Sequence, residues 1–327
     1  MNTILITGGT GFLGSNLAVT LRAQGHRVRV LRRQHSDLRA IGDADVEHVI
    51  GDVRDRVSLA HAIRGCDTVF HTAAVVSFWK QRRPELMEVN VGGTQNVVDV
   101  CLELGVEKLV HTSSIAAIGF AGEGRLADET HAFNWQSYDI GYRNSKHAAE
   151  QVVKDAIARG LPAVIVNPSV ILGPRDVHFH AGQLIRDVYK KRVFYYLKGG
   201  INVVDVADVV AGHIAAARVG RVGERYILAG DNMTHREVLT IVAEEVGGTK
   251  PLFKLPMPVV HAIGATSEAI GTMLGREPWI PKELVAGIDR HCWYSSEKAE
   301  RELGYAITPF RDSVRRTFAW YRSVGLL

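Results

Sequence analysis

A short apolar strand, Thr3–Thr7, runs straight into Thr7-Gly8-Gly9-Thr10-Gly11-Phe12-Leu13-Gly14 and from there into a helix predicted over Phe12–Gln24 that stops at Gly25. Strand, glycine turn and helix in that order open a βαβ unit, and the turn restricts what the unit can be for. Gly8 permits the tight turn, Gly11 lets backbone N–H groups approach a phosphate, and Gly14 allows the helix to pack closely on the strand. The positive end of the helix then faces the same spot, so the segment suits a pyrophosphate.

The alternation continues through the first half. Strands are predicted at Arg27–Leu31, Val46–Ile50, Thr68–His71, Lys108–Ser113 and Ala163–Asn167. Helices are predicted around Val57–Ile63, over Pro84–Leu104 up to Gly105, and from Tyr142 to Arg159 up to Gly160. Such an order implies right-handed crossovers and an α/β fold, a Rossmann-type doubly wound parallel sheet covered on both faces. After Pro168 the rhythm loosens, with turns at Gly173-Pro174 and Gly199-Gly200 and a proline-rich stretch from Pro251 to Pro258. A helix at Asp205–Arg218 and a strand at Glu224–Ala229 are expected to return to the sheet. The expected division is a dinucleotide-binding domain over 1–169, rejoined by 201–229, and a smaller C-terminal substrate lobe from 170–200 and 230–327.

Bulk charge excludes little but helps. A net charge of +4, from 39 basic and 35 acidic residues, is too small to imply nucleic acid or a membrane surface. Cys66, Cys101 and Cys292 have no metal-ligand spacing, and His178-x-His180 lacks a third ligand, so no metal is expected. The odd cysteine count and the absence of a signal-like or membrane-spanning run lead to a cytoplasmic expectation.

A dinucleotide fold of this type ordinarily carries an acid at the end of its second strand, for the ribose 2′-hydroxyl. Here that strand ends Val30-Leu31-Arg32-Arg33. A guanidinium binds a 2′-phosphate that a carboxylate would repel, so NADP (NADPH) is expected, with NAD as the alternative and Arg32 ahead of Arg33. Asp52-Val53 follows the third strand, where an adenine edge can be contacted.

Tyr142 and Lys146 stand four apart and share a helix face. A phenol is a poor acid–base group at neutral pH, and a nearby ammonium is expected to lower its pKa. The strand ending His111-Thr112-Ser113-Ser114 offers two hydroxyls to polarise a substrate oxygen, and local sequence does not choose between them. Apolar and aromatic residues, Phe78 and Trp79 after the fourth strand and Trp135 before Tyr142, are expected to line a substrate pocket. So are Phe179, Phe194-Tyr195-Tyr196 and Trp279-Ile280 of the later lobe, although each serves equally as core.

Taken in order, TGGTGFLG at 7–14, Asp52-Val53, His71-Thr72-Ala73-Ala74, Asn90-Val91-Gly92-Gly93-Thr94, Thr112-Ser113-Ser114, Tyr142 with Lys146, and Asn167-Pro168-Ser169 resemble the extended short-chain dehydrogenase/reductase family over nearly the whole chain. The resemblance is closest to the branch of dihydroflavonol reductases and 3β-hydroxysteroid dehydrogenases. It implies that Ser114, leading Ser114-Ile115-Ala116-Ala117, is the catalytic serine, Tyr142 the general acid in reduction and Lys146 its electrostatic partner. It also implies a pyrophosphate loop at Gly8, Gly11, Phe12 and Leu13, adenine contacts at Asp52 and Val53, cofactor-flanking backbone at Ala73 and Ala74, and nicotinamide neighbours at Pro168 and Ser169. A homodimer is implied through the helix after Pro84 and the helix bearing Tyr142, with Val97, Val98, Leu102, Val152 and Val153 as apolar candidates. The expected activity is hydride transfer between a nicotinamide and the carbonyl or alcohol of a hydrophobic small molecule. A nucleotide-sugar epimerase or dehydratase with bound NAD is the alternative, disfavoured by Arg32 where such enzymes carry an acid and by Ile115 after Ser114.

Overall fold

A computed structural model describes residues 2–327. The first strands are short, and those in the middle of the sheet are apolar and buried on both faces, while the edge strand Glu47–Ile50 is largely exposed. They are β1 (Thr3–Thr7), β2 (Arg27–Arg32), β3 (Glu47–Ile50), β4 (Thr68–His71), β5 (Lys108–Thr112) and β6 (Ala163–Pro168). Between them run α1 (Phe12–Ala23), α2 (Arg56–Ile63), α3 (Arg83–Leu86), α4 (Gly93–Leu104) and α5 (Gly141–Ala158). The chain continues through β7 (Val170–Leu172), α6 (Gly182–Tyr189), β8 (Tyr195–Tyr196), β9 (Gly200–Asp205), α7 (Val206–Val219) and β10 (Arg225–Leu228). It closes with β11 (Asp231–Thr234), α8 (His235–Val246), β12 (Phe253–Lys254), α9 (Met257–Leu274), α10 (Lys282–Val285), α11 (Glu297–Leu303) and α12 (Phe310–Ser323).

Seven parallel strands form the main sheet in the order β10-β6-β5-β4-β1-β2-β3. This is the doubly wound sheet expected from the alternation. Ile4 and Ile6 face one apolar layer with Leu17 and Leu21 of α1 and Val209 and Val210 of α7. Leu5 faces the other, with Val97 and Val98 of α4 and Val153 of α5. Val97, Val98 and Val153 are therefore fully buried within one chain, and of the apolar candidates for a dimer face only Leu102 and Val152 remain partly accessible.

β1 lies between β4 and β2, so strand order reverses there and a crevice opens at the C-terminal strand ends. A second sheet, β11-β9-β7, carries α6, α8 and α12 and forms the core of the smaller lobe. Two segments pack otherwise than their place in sequence suggested. β9 joins this second sheet, and Ala299, Leu303 and Tyr305, in and just beyond α11, pack into the layer under α1 and α7. The helix expected over Pro84–Leu104 is interrupted: Met87–Gly92 makes a π-helical turn between α3 and α4. Among the described residues no helix is long and apolar enough to cross a membrane.

Candidate active site

The glycine turn is built by exclusion. Gly8 has φ +70°, and a Cβ there would stand 2.7 Å from the Ala73 Cα. A Cβ on Gly14 would stand 2.3 Å from the Gly8 carbonyl oxygen. Gly11 caps α1 without a side-chain hydrogen bond, leaving the first-turn N–H groups directed at the crevice. The Ser169 hydroxyl, at the same crevice, is buried without a partner. An open cradle of N–H groups and an orphaned hydroxyl fit a dinucleotide, which Gly8, Gly11, Phe12, Leu13 and Gly14 would hold at its pyrophosphate.

One cleft of about 490 Å³ joins this turn to Ser114, Tyr142 and Lys146. Its wall includes Arg32, Arg33, Asp52, Val53, Ala73, Ala74, Pro168 and Ser169. Every residue singled out for cofactor or catalysis thus reaches a single cavity from seven separate segments of chain.

Ser113 and Ser114 part company here. The Ser113 hydroxyl turns into the core and donates to Glu150 Oε2 at 2.8 Å. Ser114 stays half-buried, its Oγ accepting from the Ala116 N–H at 3.1 Å. Tyr142 sits beside it, and Phe78 meets the Tyr142 ring edge-on at 5.6 Å. Lys146 is buried and donates from Nζ to the Thr112 carbonyl at 2.7 Å.

Electrostatics differ from the expectation of a lowered phenol pKa. Burial pushes the Tyr142 phenol up, with the Ser114 hydroxyl and the Arg143 guanidinium pulling the other way. The ammonium of Lys146 is spent on Thr112, and burial brings Lys146 down to about 8, against the pull of Glu150. Desolvation therefore outweighs the cation at this phenol.

Beneath the cleft runs a row of neutral histidines. His71 bridges Thr7 Oγ1 at 2.7 Å and Thr94 Oγ1 at 3.0 Å. Its ring lies 5.3 Å from that of His111, whose two nitrogens are buried without partners. Burial, with the charge of Lys146 added, holds both histidines far below the usual imidazole range.

Several contributors escaped sequence reasoning. Arg54 and Ser36 join Arg32 and Arg33 at the end of the cleft away from Tyr142. Arg54 binds both oxygens of Asp52, at 3.0 and 2.8 Å, so that the carboxylate proposed for adenine is already engaged. Glu150 is fully buried and receives Ser113, Asn167 at 2.9 Å, Arg225 at 3.0 Å and Lys154 at 3.0 Å. The spacing Lys146, Glu150, Lys154, an i,i+4 ladder, was its one signal in the sequence. His180 lines the cleft, stacks on Phe12 and bonds Asp176 at 2.6 Å, which raises its pKa.

The substrate candidates scatter. Trp135 is fully buried, donates to the Ile118 carbonyl at 3.1 Å, and packs under Arg143 and against Phe120, which gives it a core position away from the cleft wall. Trp79 is half-buried and outside that wall, while Phe179 stacks on Tyr321 inside the lobe. Trp279 is 80% exposed.

The model of the NAD dependent epimerase/dehydratase family matches residues 4–229, more than half of the chain. The chain belongs to that family. It is an extended short-chain dehydrogenase/reductase, an oxidoreductase by the company of its relatives. It is 33% identical to sterol demethylase protein B of Methylococcus capsulatus, over 99% of this chain and 100% of that one. It is 30% identical to 2-alkyl-3-oxoalkanoate reductase of Stenotrophomonas maltophilia, over 92% of this chain and 94% of that one. Among solved structures, that of gox2253 is 38% identical with a TM-score of 0.87, covering 99% of each chain. The NAD complex of UDP-glucose 4-epimerase from Thermus thermophilus is 26% identical with a TM-score of 0.77, covering 98% of this chain and 99% of that one.

Proposed function

We propose that the protein is an NADPH-dependent reductase of a ketone or aldehyde on a hydrophobic small molecule. The observation that carries this reading is the single cleft that joins the glycine turn to Ser114, Tyr142 and Lys146. When bound, the nicotinamide supplies the hydride. Ser114 donates a hydrogen bond to the substrate oxygen and fixes its direction. Tyr142 delivers the proton to that oxygen, a role for which a raised pKa is an advantage, because the phenol stays protonated until the oxygen gains charge. Lys146 keeps a positive charge one helical turn away and so stabilises the phenolate left behind. Phe78, outside the cleft wall, backs the Tyr142 ring edge-on.

The choice of NADPH rests on the basic end of the cleft, where Arg32, Arg33 and Arg54 meet Ser36, and no carboxylate ends β2. The names of the relatives, one of them a reductase of 3-oxoalkanoates, favour a carbonyl substrate. The test is parallel assay of NADPH and NADH oxidation with aromatic, steroid and aliphatic carbonyls. Faster turnover with NADPH on at least one of them is expected. Cofactor that co-purifies with the protein, together with no net oxidation of added NADPH, would overturn the reading in favour of a nucleotide-sugar epimerase.

A further inference from the structure

α9 is the most apolar surface element of the molecule. It touches its own chain along a narrow seam: Val260, Gly264 and Gly271 are buried, with Gly264 against Val285 and Gly271 against Pro278. Elsewhere its large side chains stand open. Val259 (44%), Ile263 (39%), Ile270 (49%), Met273 (78%) and Leu274 (60%) are exposed. At ~100° per residue these five fall within a sector roughly 100° wide, a continuous stripe on one side of the helix. The stripe is extended at one end by Leu252 and Phe253 and at the other by Trp279. Isolated exposed apolar residues need no explanation, but a contiguous set of this size marks a contact surface.

Charge indicates what the surface meets. Lys254 precedes α9, and Arg276 and Lys282 follow it; among the described residues none of the three has an ion-pair partner. The nearby acids are engaged by hydrogen bonds. Glu277 accepts from Ser77 and Arg82, Glu283 from Arg83 and the Gly141 N–H, and Glu268 from the Lys282 N–H. The result is an apolar stripe with cations lacking ion-pair partners beyond both ends of the helix, while Glu268 lies roughly opposite the stripe, at ~100° per residue, a layout that suits an anionic lipid surface. A second copy of the chain fits less well, since an isologous pairing would bring the same uncompensated cations together from both sides.

We infer that α9, with Leu252, Phe253 and Trp279, docks the protein on an anionic lipid surface. The modest net charge of the whole chain gives no sign of this, because the effect is local. Docking does not depend on the reductase reading, and its test uses no substrate. The full-length protein is sedimented with phosphatidylcholine vesicles with or without phosphatidylglycerol. Affinity is expected to rise on the order of a hundredfold with the anionic lipid, which corresponds to three basic residues near the surface, and to weaken with added salt. Ile270→Glu/Met273→Glu should lose vesicle binding while keeping the helical circular dichroism and thermal transition of the parent. No sedimentation with anionic vesicles, or sedimentation that the double variant leaves unchanged, would overturn the inference. So would a dimer in sedimentation velocity that the double variant splits, since that would assign the face to a second copy.

Discussion

In the proposed reduction Tyr142 carries two demands that pull against each other: it must hold its proton until the substrate oxygen needs it, then release it. Burial meets the first, and the Ser114 hydroxyl and the Arg143 guanidinium, which pull the phenol's pKa down, act toward the second. Tyr142→Phe removes the proton without altering ring packing against Phe78. It should lower turnover by roughly 10²–10⁴-fold while leaving cofactor affinity, read by fluorescence titration, nearly unchanged; retained turnover would remove the phenol from the reaction. The Lys146 pKa of about 8 gives a second prediction. A lowered lysine pKa means that the charge is lost earlier as pH rises. Reductive kcat/KM should therefore fall through about pH 8, and Lys146→Arg should carry the limb to higher pH. A profile flat to about pH 9.5 would count against the charge requirement. At this scale the sequence left one choice open, between Ser113 and Ser114, because both are small hydroxyls at a strand end. What decides is Glu150, 36 residues beyond Ser114, which captures Ser113 and leaves Ser114 to the cleft.

Elements were legible wherever local rules determine them. β1, the glycine turn and α1 follow from residue size alone, because any Cβ at Gly14 meets backbone that cannot rotate away. Gly14→Ala should thus cost about 1–3 kcal/mol of stability or more, measured by urea unfolding, and should weaken cofactor binding at the same time; an unperturbed midpoint would show that the turn has slack the structure does not reveal. The π turn at Met87–Gly92 was not legible. Apolar spacing over this stretch suits a continuous helix, and the interruption rests on partners far away in sequence. Asn90 bonds the Val75 backbone at N–H and carbonyl and also Ser145, and Gly93 packs where a Cβ would meet Val53. The end of β2 shows the opposite case, where the proposed preference for NADPH hangs on one position. Arg32→Gln should reduce NADPH affinity by about 10–100-fold, the loss of a charge-assisted bond, and leave NADH affinity within about threefold. Equal losses for both cofactors would dissociate Arg32 from the 2′-phosphate.

For the molecule as a whole, the parallel sheet followed from rhythm, but the contacts of the later segments did not. Few turn or capping signals connect α11 to the layer under α1, and aromatic residues expected to line the pocket, such as Trp135 and Phe179, instead fill core positions. Apolar character alone does not distinguish a core from a pocket. The same packing does determine a property of the entire fold, its response to acid. His71, His111 and His213 are fully buried and neutral, with pKa values held at about 3 for His71, well below the ordinary value for His111, and at about 4 for His213, in each case first by desolvation. In the unfolded chain each takes up its proton near pH 6.5. The unfolded state then binds more protons than the folded one, so stability present above that pH is lost as pH falls toward the folded values. Three such groups together give a slope approaching about 4 kcal/mol per pH unit between roughly pH 6 and 4. His180, raised by Asp176, works in the opposite sense and offsets part of it. Urea midpoints should accordingly drop steeply below pH 6. His111→Leu removes a ring whose nitrogens have no partner, and should make the drop shallower by about a third whatever it does to stability at neutral pH; midpoints that do not move with acid, or a slope that His111→Leu leaves intact, would show that these imidazoles are not the groups that sense it.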